Sequence, residues 1–132
     1  MNWKLILSYA SFGILVGLLS VFTNSIVTEP VFWLIYAFIA AHGFKTKVTS
    51  NRIAHVLFFG LICGILNAGV QALLVDSYLA NNPVFAREFS AAPVSPKALI
   101  MFTGLLFGII YGVIVFVLTM IFQTKKEVKT AD

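Results

Sequence analysis

From Ile53 to Leu79 the chain is apolar apart from His55, Asn67, Gln71, Asp76 and Ser77. It is entered through Arg52 and carries Gly60, Gly64, Asn67 and Gln71 inside it. This segment has the length of a membrane-spanning helix, which needs about 20 residues to cross roughly 30 Å of hydrocarbon. At about 100° per residue the four interior positions fall in one narrow arc, so two glycines and two carboxamides share a face. An unpaired amide is costly in hydrocarbon, whereas glycines admit a second backbone that can supply partners. That face is expected to point at other helices.

Composition agrees with the segment. The 132 residues are 60% hydrophobic and 11% charged, with a mean hydropathy of +0.98. A soluble domain carries about a quarter charged residues, and no water-soluble core needs so much apolar material. The net charge of +4 does not point to nucleic acid, because Lys and Arg sit between and beyond the apolar runs and form no basic face. The single cysteine, Cys63, allows no internal disulfide and reads as a small packing residue.

Four apolar runs predict spans over about 5–22, 30–45, 53–78 and 97–122. The first follows Lys4 and is read as a retained helix, since no small-x-small cleavage pattern follows it. The second is taken to begin at Pro30, a residue suited to a first helical turn, and is short. The fourth opens with Ser95-Pro96, a capping residue followed by proline. The whole is an all-α chain, one integral membrane four-helix bundle.

Charge placement sets the expected orientation. Lys45, Lys47 and Arg52 lie between runs two and three, and Lys125, Lys126 and Lys129 in the tail, while the first loop offers only Glu29. By the positive-inside asymmetry both termini are expected in the cytoplasm. In the outer loop, Asn82-Pro83 can start a short helix whose Phe85 and Phe89 lie on the membrane surface or against the bundle. Glu29, at the outer start of helix two, is expected to sit favourably on the helix dipole, and Asp76 to be a solvated end charge.

The chain also repeats a pattern. Phe12-Gly13-Ile14-Leu15-Val16-Gly17 aligns with Phe59-Gly60-Leu61-Ile62-Cys63-Gly64, a register that sets Ser20 on Asn67 and Asn24 on Gln71. Phe32 to Ala37 aligns in turn with Phe107 to Gly112, so a duplicated two-helix hairpin is one reading and chance similarity between apolar segments the other. Helix four adds Gly104, Gly108 and Gly112 at small-xxx-small spacing beside Tyr111, a contact face for packing inside one bundle or for dimerisation.

Few residues can carry chemistry. Ser20, Asn24, Asn67 and Gln71 form a polar seam that serves either as interhelical ties, with Tyr111 as a further partner, or as a mid-membrane binding site. His42 and His55 flank the inner loop and are the only candidate ligand pair for a metal or haem iron. The alternative reading is two interfacial histidines. No hydrolase, kinase, nucleotide-binding or zinc motif is present, so no enzyme activity and no cofactor is expected.

Phe44-Lys45-Thr46-Lys47 closing helix two, Asn81-Asn82-Pro83 after helix three, and Phe102 to Gly112 before a lysine-rich tail resemble the small four-helix bacterial membrane proteins grouped as a domain of unknown function. The first loop is shorter here. The resemblance implies four helices in a bacterial inner membrane and supplies no catalytic residues. The expected function is that of a non-enzymatic accessory or assembly component, with lipid, other membrane subunits or a second copy as partners. The alternative is a small homo-oligomeric transporter or channel lined by the polar seam.

Overall fold

The computed structural model describes residues 1–127, with side chains to Phe122; Lys129 of the basic tail lies outside the described residues. Every regular element among them is a helix: α1 (Trp3–Ala10), α2 (Phe12–Phe22), α3 (Ser25–Lys47), α4 (Arg52–Leu73), α5 (Val75–Asn81), α6 (Pro83–Ser90) and α7 (Pro96–Glu127). Ser11 between α1 and α2 keeps helical dihedrals, so the two form one rod. Four stretches, Trp3–Phe22, Ser25–Lys47, Arg52–Leu73 and Pro96–Phe122, are long and apolar enough to cross a membrane.

Local chemistry explains the ends, and two of them differ from expectation. Helix α3 starts at Ser25, five residues ahead of Pro30, because Asn24 caps it: its Oδ1 accepts the Ile26 N–H at 3.2 Å. Pro30 then sits inside the helix with an exposed ring, where only one backbone donor is lost. The third span stops at Leu73 instead of residue 78. Leu74 leaves helical geometry, and α5 turns away to cover the α2–α3 connection. The fourth begins as expected, with Ser95 Oγ accepting the Ala98 N–H at 3.3 Å.

Helix α4 is the centre of the arrangement. Its most extensive neighbour is α7, α2 packs on another side, and α3 leans mainly on α7 and touches α4 at few points. The narrow arc of α4 is thereby divided. Gly60 and Gly64 face α7, where a Cβ on Gly60 would meet the Gly108 carbonyl and Gly112 backbone, and one on Gly64 the Gly104 carbonyl and Gly108 backbone. Cys63 and Asn67 face α2, where a Cβ on Gly13 or Gly17 would strike their backbones. All seven of these glycines are buried. The glycine pattern shared by α2 and α4 thus does not produce a shared hairpin: α4 packs tightly on α7, whereas the glycines of α2 turn to α4 and not to α3.

Helix α3 joins the bundle through large side chains. Phe12 stacks on Tyr36 with centroids 3.7 Å apart, and Trp33 meets Tyr111 at 4.8 Å and Phe107 at 5.2 Å. Nearer the termini, Phe44 packs between Tyr9 and Phe59. Gly43 is buried against the Tyr9 ring. At the opposite end Tyr78 stacks on Phe85 and Phe85 on Phe89, so α6 lies half-buried against the bundle.

Candidate functional site

The buried polar groups gather where α2, α3 and α4 approach the α5–α6 cap. Gln71, two residues from the end of α4, donates from Nε2 to Ser20 Oγ at 2.8 Å and to Glu29 Oε1 at 2.6 Å. The Ser20 hydroxyl donates in turn to the Gly17 carbonyl at 2.8 Å. Glu29 therefore does not stand at a helix end, as the Pro30 start implied. It lies one turn inside α3 and faces Ser20, Gln71 and the Trp33 indole.

One helical turn further from the cap, the same two helices present Trp33 and Asn67. Both are about nineteen-twentieths buried, at 4% and 5% exposure, and Trp33 Nε1 and Asn67 Oδ1 have no hydrogen-bond partner. An unpaired buried donor and acceptor each carry a desolvation cost, so this level of the site is incompletely satisfied while the level above it is closed. Tyr111, expected as a partner for Asn67, instead donates to the Trp33 backbone carbonyl at 3.1 Å.

Above the site a carboxamide clamp holds the α2–α3 connection. Asn82 is 1% exposed; its Oδ1 accepts from the Ser25 N–H and hydroxyl, both at 2.7 Å, and its Nδ2 donates to the Ser20 and Tyr78 carbonyls at 3.0 and 2.9 Å. Asn81 adds a bond from Nδ2 to the Val21 carbonyl at 2.9 Å. Tyr78 closes the edge, and burial pushes its phenol up to about 12.

Of the four seam residues, Ser20 and Gln71 are joined by a hydrogen bond, and Asn67 lies one turn along α4 with its backbone against Gly17 and its Oδ1 unbonded. Asn24 stands apart: it is the exposed cap of α3, because the chain turns at Thr23–Asn24 before the register with Gln71 can be completed. The two histidines are placed differently from each other. His55 is buried, with Nε2 accepting the Asn2 N–H at 2.9 Å and Nδ1 2.9 Å from the Asn51 carbonyl, so both ring nitrogens are committed to their own chain. His42 is exposed on α3. Among the described residues no group of three or more His, Cys, Asp or Glu could hold a metal ion.

Glu29, Trp33 and Asn82 were missed as members of the site. The signal for the first two lay in the spacing of α3: Trp33, Ala37, Ala40, Ala41 and Phe44 form its buried face, and one turn back along that face is Glu29. Compared with protein-family models, with curated proteins and with solved structures, the chain matches none.

Proposed function

We propose that the chain is a multi-pass protein of a bacterial inner membrane, a four-helix bundle with both termini in the cytoplasm, and that it serves without catalysis as an accessory or assembly component of a membrane complex. What supports this reading is the division of its surface. Ser20, Asn67, Gln71, Asn82 and the glycines at the helix crossings are buried within the chain, whereas apolar side chains such as Leu15, Ile35, Phe38 and Ile110 face outward, and in no span is more than 44% of the most apolar stretch buried. An apolar surface of that extent suits lipid and neighbouring helices. Lys4, Lys45, Lys47 and Arg52 gather at the end opposite α5 and α6, which favours that end for the cytoplasm.

The transporter alternative needs Ser20, Asn24, Asn67 and Gln71 along a path between copies. In the fold Ser20 and Gln71 bond inside one chain, Asn67 is buried against α2, and Asn24 is a helix cap. Purification in mild detergent tests the assembly reading, with a stoichiometric membrane-protein partner as the expected outcome. The reading fails if liposomes containing the protein alone pass an ion or solute and Asn67→Leu abolishes that flux in a folded variant. For topology, Arg87→Cys in a Cys63→Ala background should react with an impermeant maleimide in intact cells and Lys47→Cys should not; the reverse pattern inverts the orientation.

A further inference from the structure

The carboxyl group of Glu29 lies inside a span, and the groups around it are neutral. From α2 it is faced by Ser20, from α4 by Gln71, from its own helix by Trp33, and from α5 by Tyr78, whose raised phenol stays protonated across the physiological range. The charged side chains at this end of the bundle, Asp76, Arg87, Glu88 and Lys97, are all exposed. An ionised group held inside a span without a counter-ion is costly, which marks such a group as a functional candidate, and a carboxyl group so placed exchanges one thing readily, a proton.

The two unpartnered atoms below it match its two protonation states. Ionised Glu29 needs donors. It has one Gln71 amide proton, and the Trp33 indole N–H borders the same carboxyl group while bonding to nothing else. Protonated Glu29 gains an O–H that needs an acceptor. Asn67 Oδ1 stands one turn deeper on the helix that carries Gln71, and no donor uses it.

We propose that Glu29 is a proton-binding site, with Trp33 Nε1 and Gln71 Nε2 holding the carboxylate and Asn67 Oδ1 holding the protonated acid. One proton is bound or released at the carboxyl oxygen, and no other bond forms or breaks. Trp33, Gln71 and Asn67 are positioning residues for that proton. The inference goes beyond the assembly reading and stands on different observations, so a missing partner protein would leave it intact.

A hydrophobic carbodiimide supplies the test, because it adds covalently to protonated carboxyl groups in apolar surroundings and spares solvated carboxylates. In detergent-purified protein, mass spectrometry should find the adduct on Glu29 and not on Asp76 or Glu88, and its yield should fall through a single midpoint as pH rises. Trp33→Phe keeps the ring and removes the donor for the anion, so the midpoint should rise by about one pH unit; Asn67→Leu removes the acceptor for the acid, so it should fall by a similar amount. A residue with a merely structural role would not move the midpoint in opposite directions. Glu29 unlabelled at every pH overturns the proposal, and so does a midpoint that either folded variant leaves in place or moves the wrong way. The wild-type profile decides the proton site even if a variant does not fold, and the carbonyl stretch of a protonated carboxyl group, lost in Glu29→Gln, provides a second readout.

Discussion

The two hairpins of this protein start from similar sequence and reach different structures. In α4 and α7, glycines stand opposite glycines, and the backbones of Gly60, Gly64, Gly104, Gly108 and Gly112 meet directly. In α2 and α3 the first helix carries the same spacing, but Trp33 occupies the place on α3 that corresponds to Gly108 on α7, and Ala37 that of Gly112. A Trp side chain cannot enter a backbone-to-backbone crossing. Helix α2 therefore carries Gly13 and Gly17 to α4, and α3 is held by aromatic contacts and by the Glu29 and Asn82 hydrogen bonds. A glycine motif specifies that some helix can come close; the partner's own surface decides which one does.

That contrast can be broken at its tight side first. Gly64→Leu inserts a side chain against the Gly104 carbonyl and Gly108 backbone, and overpacking of this kind costs about 3 kcal/mol. A large fall in thermal stability in detergent is the expected result. Gly69, with open space at its Cβ position, should accept Leu with no measurable loss. If the two changes cost the same, the close α4–α7 crossing does not exist in solution.

At the open hairpin the largest effect is expected from Asn82→Ala. Removing a carboxamide that bonds Ser25, Ser20 and Tyr78 leaves several buried backbone groups unpaired and should cost about 2 kcal/mol. Hydrogen exchange should rise at the amides of residues 23–28 while those of α4 and α7 hold their protection. Uniform loss of protection would mean that the clamp serves the whole bundle and not the α2–α3 connection.

Gln71 and Asn67 sharpen the comparison at smaller scale. Gln71→Leu removes the bonds to Ser20 and Glu29 and should cost about 1 kcal/mol, within the range measured for hydrogen bonds between membrane helices. At a pH where Glu29 is ionised, Asn67→Leu removes a group whose Oδ1 bonds nothing, so a change within a few tenths of a kcal/mol is expected by thermal melting. An Asn67 variant less stable than the Gln71 variant would show that the unpartnered oxygen is bonded in solution.

Much of this was legible in the residues. The lengths of the apolar runs fixed four helices that can span a membrane, since a backbone in an apolar medium must bond to itself. Gly60, Gly64, Asn67 and Gln71 of α4 share the face that the spacing gave them and are buried, whereas Gly69, off that face, has open space at its Cβ position. Helix ends were less legible: Pro30 is a common first-turn residue, but the capping bond of Asn24 outweighs it, and nothing in the run through Leu74 marks the break that frees α5.

Helical periodicity is a property of one helix, so the chain's own pattern determined which residues share a face on α4. Which neighbour each part of that face meets depends on the surfaces of α2, α3 and α7 together, and only the tertiary structure decided that the glycines go to α7 and the carboxamides toward α2 and α3. The same holds for Glu29. Its position in the sequence fits an end charge, and it became an internal carboxyl group because α3 begins a turn early and Gln71, forty-two residues away, reaches it. Contacts between residues so distant arise from the mutual fit of whole helices, which no local spacing encodes.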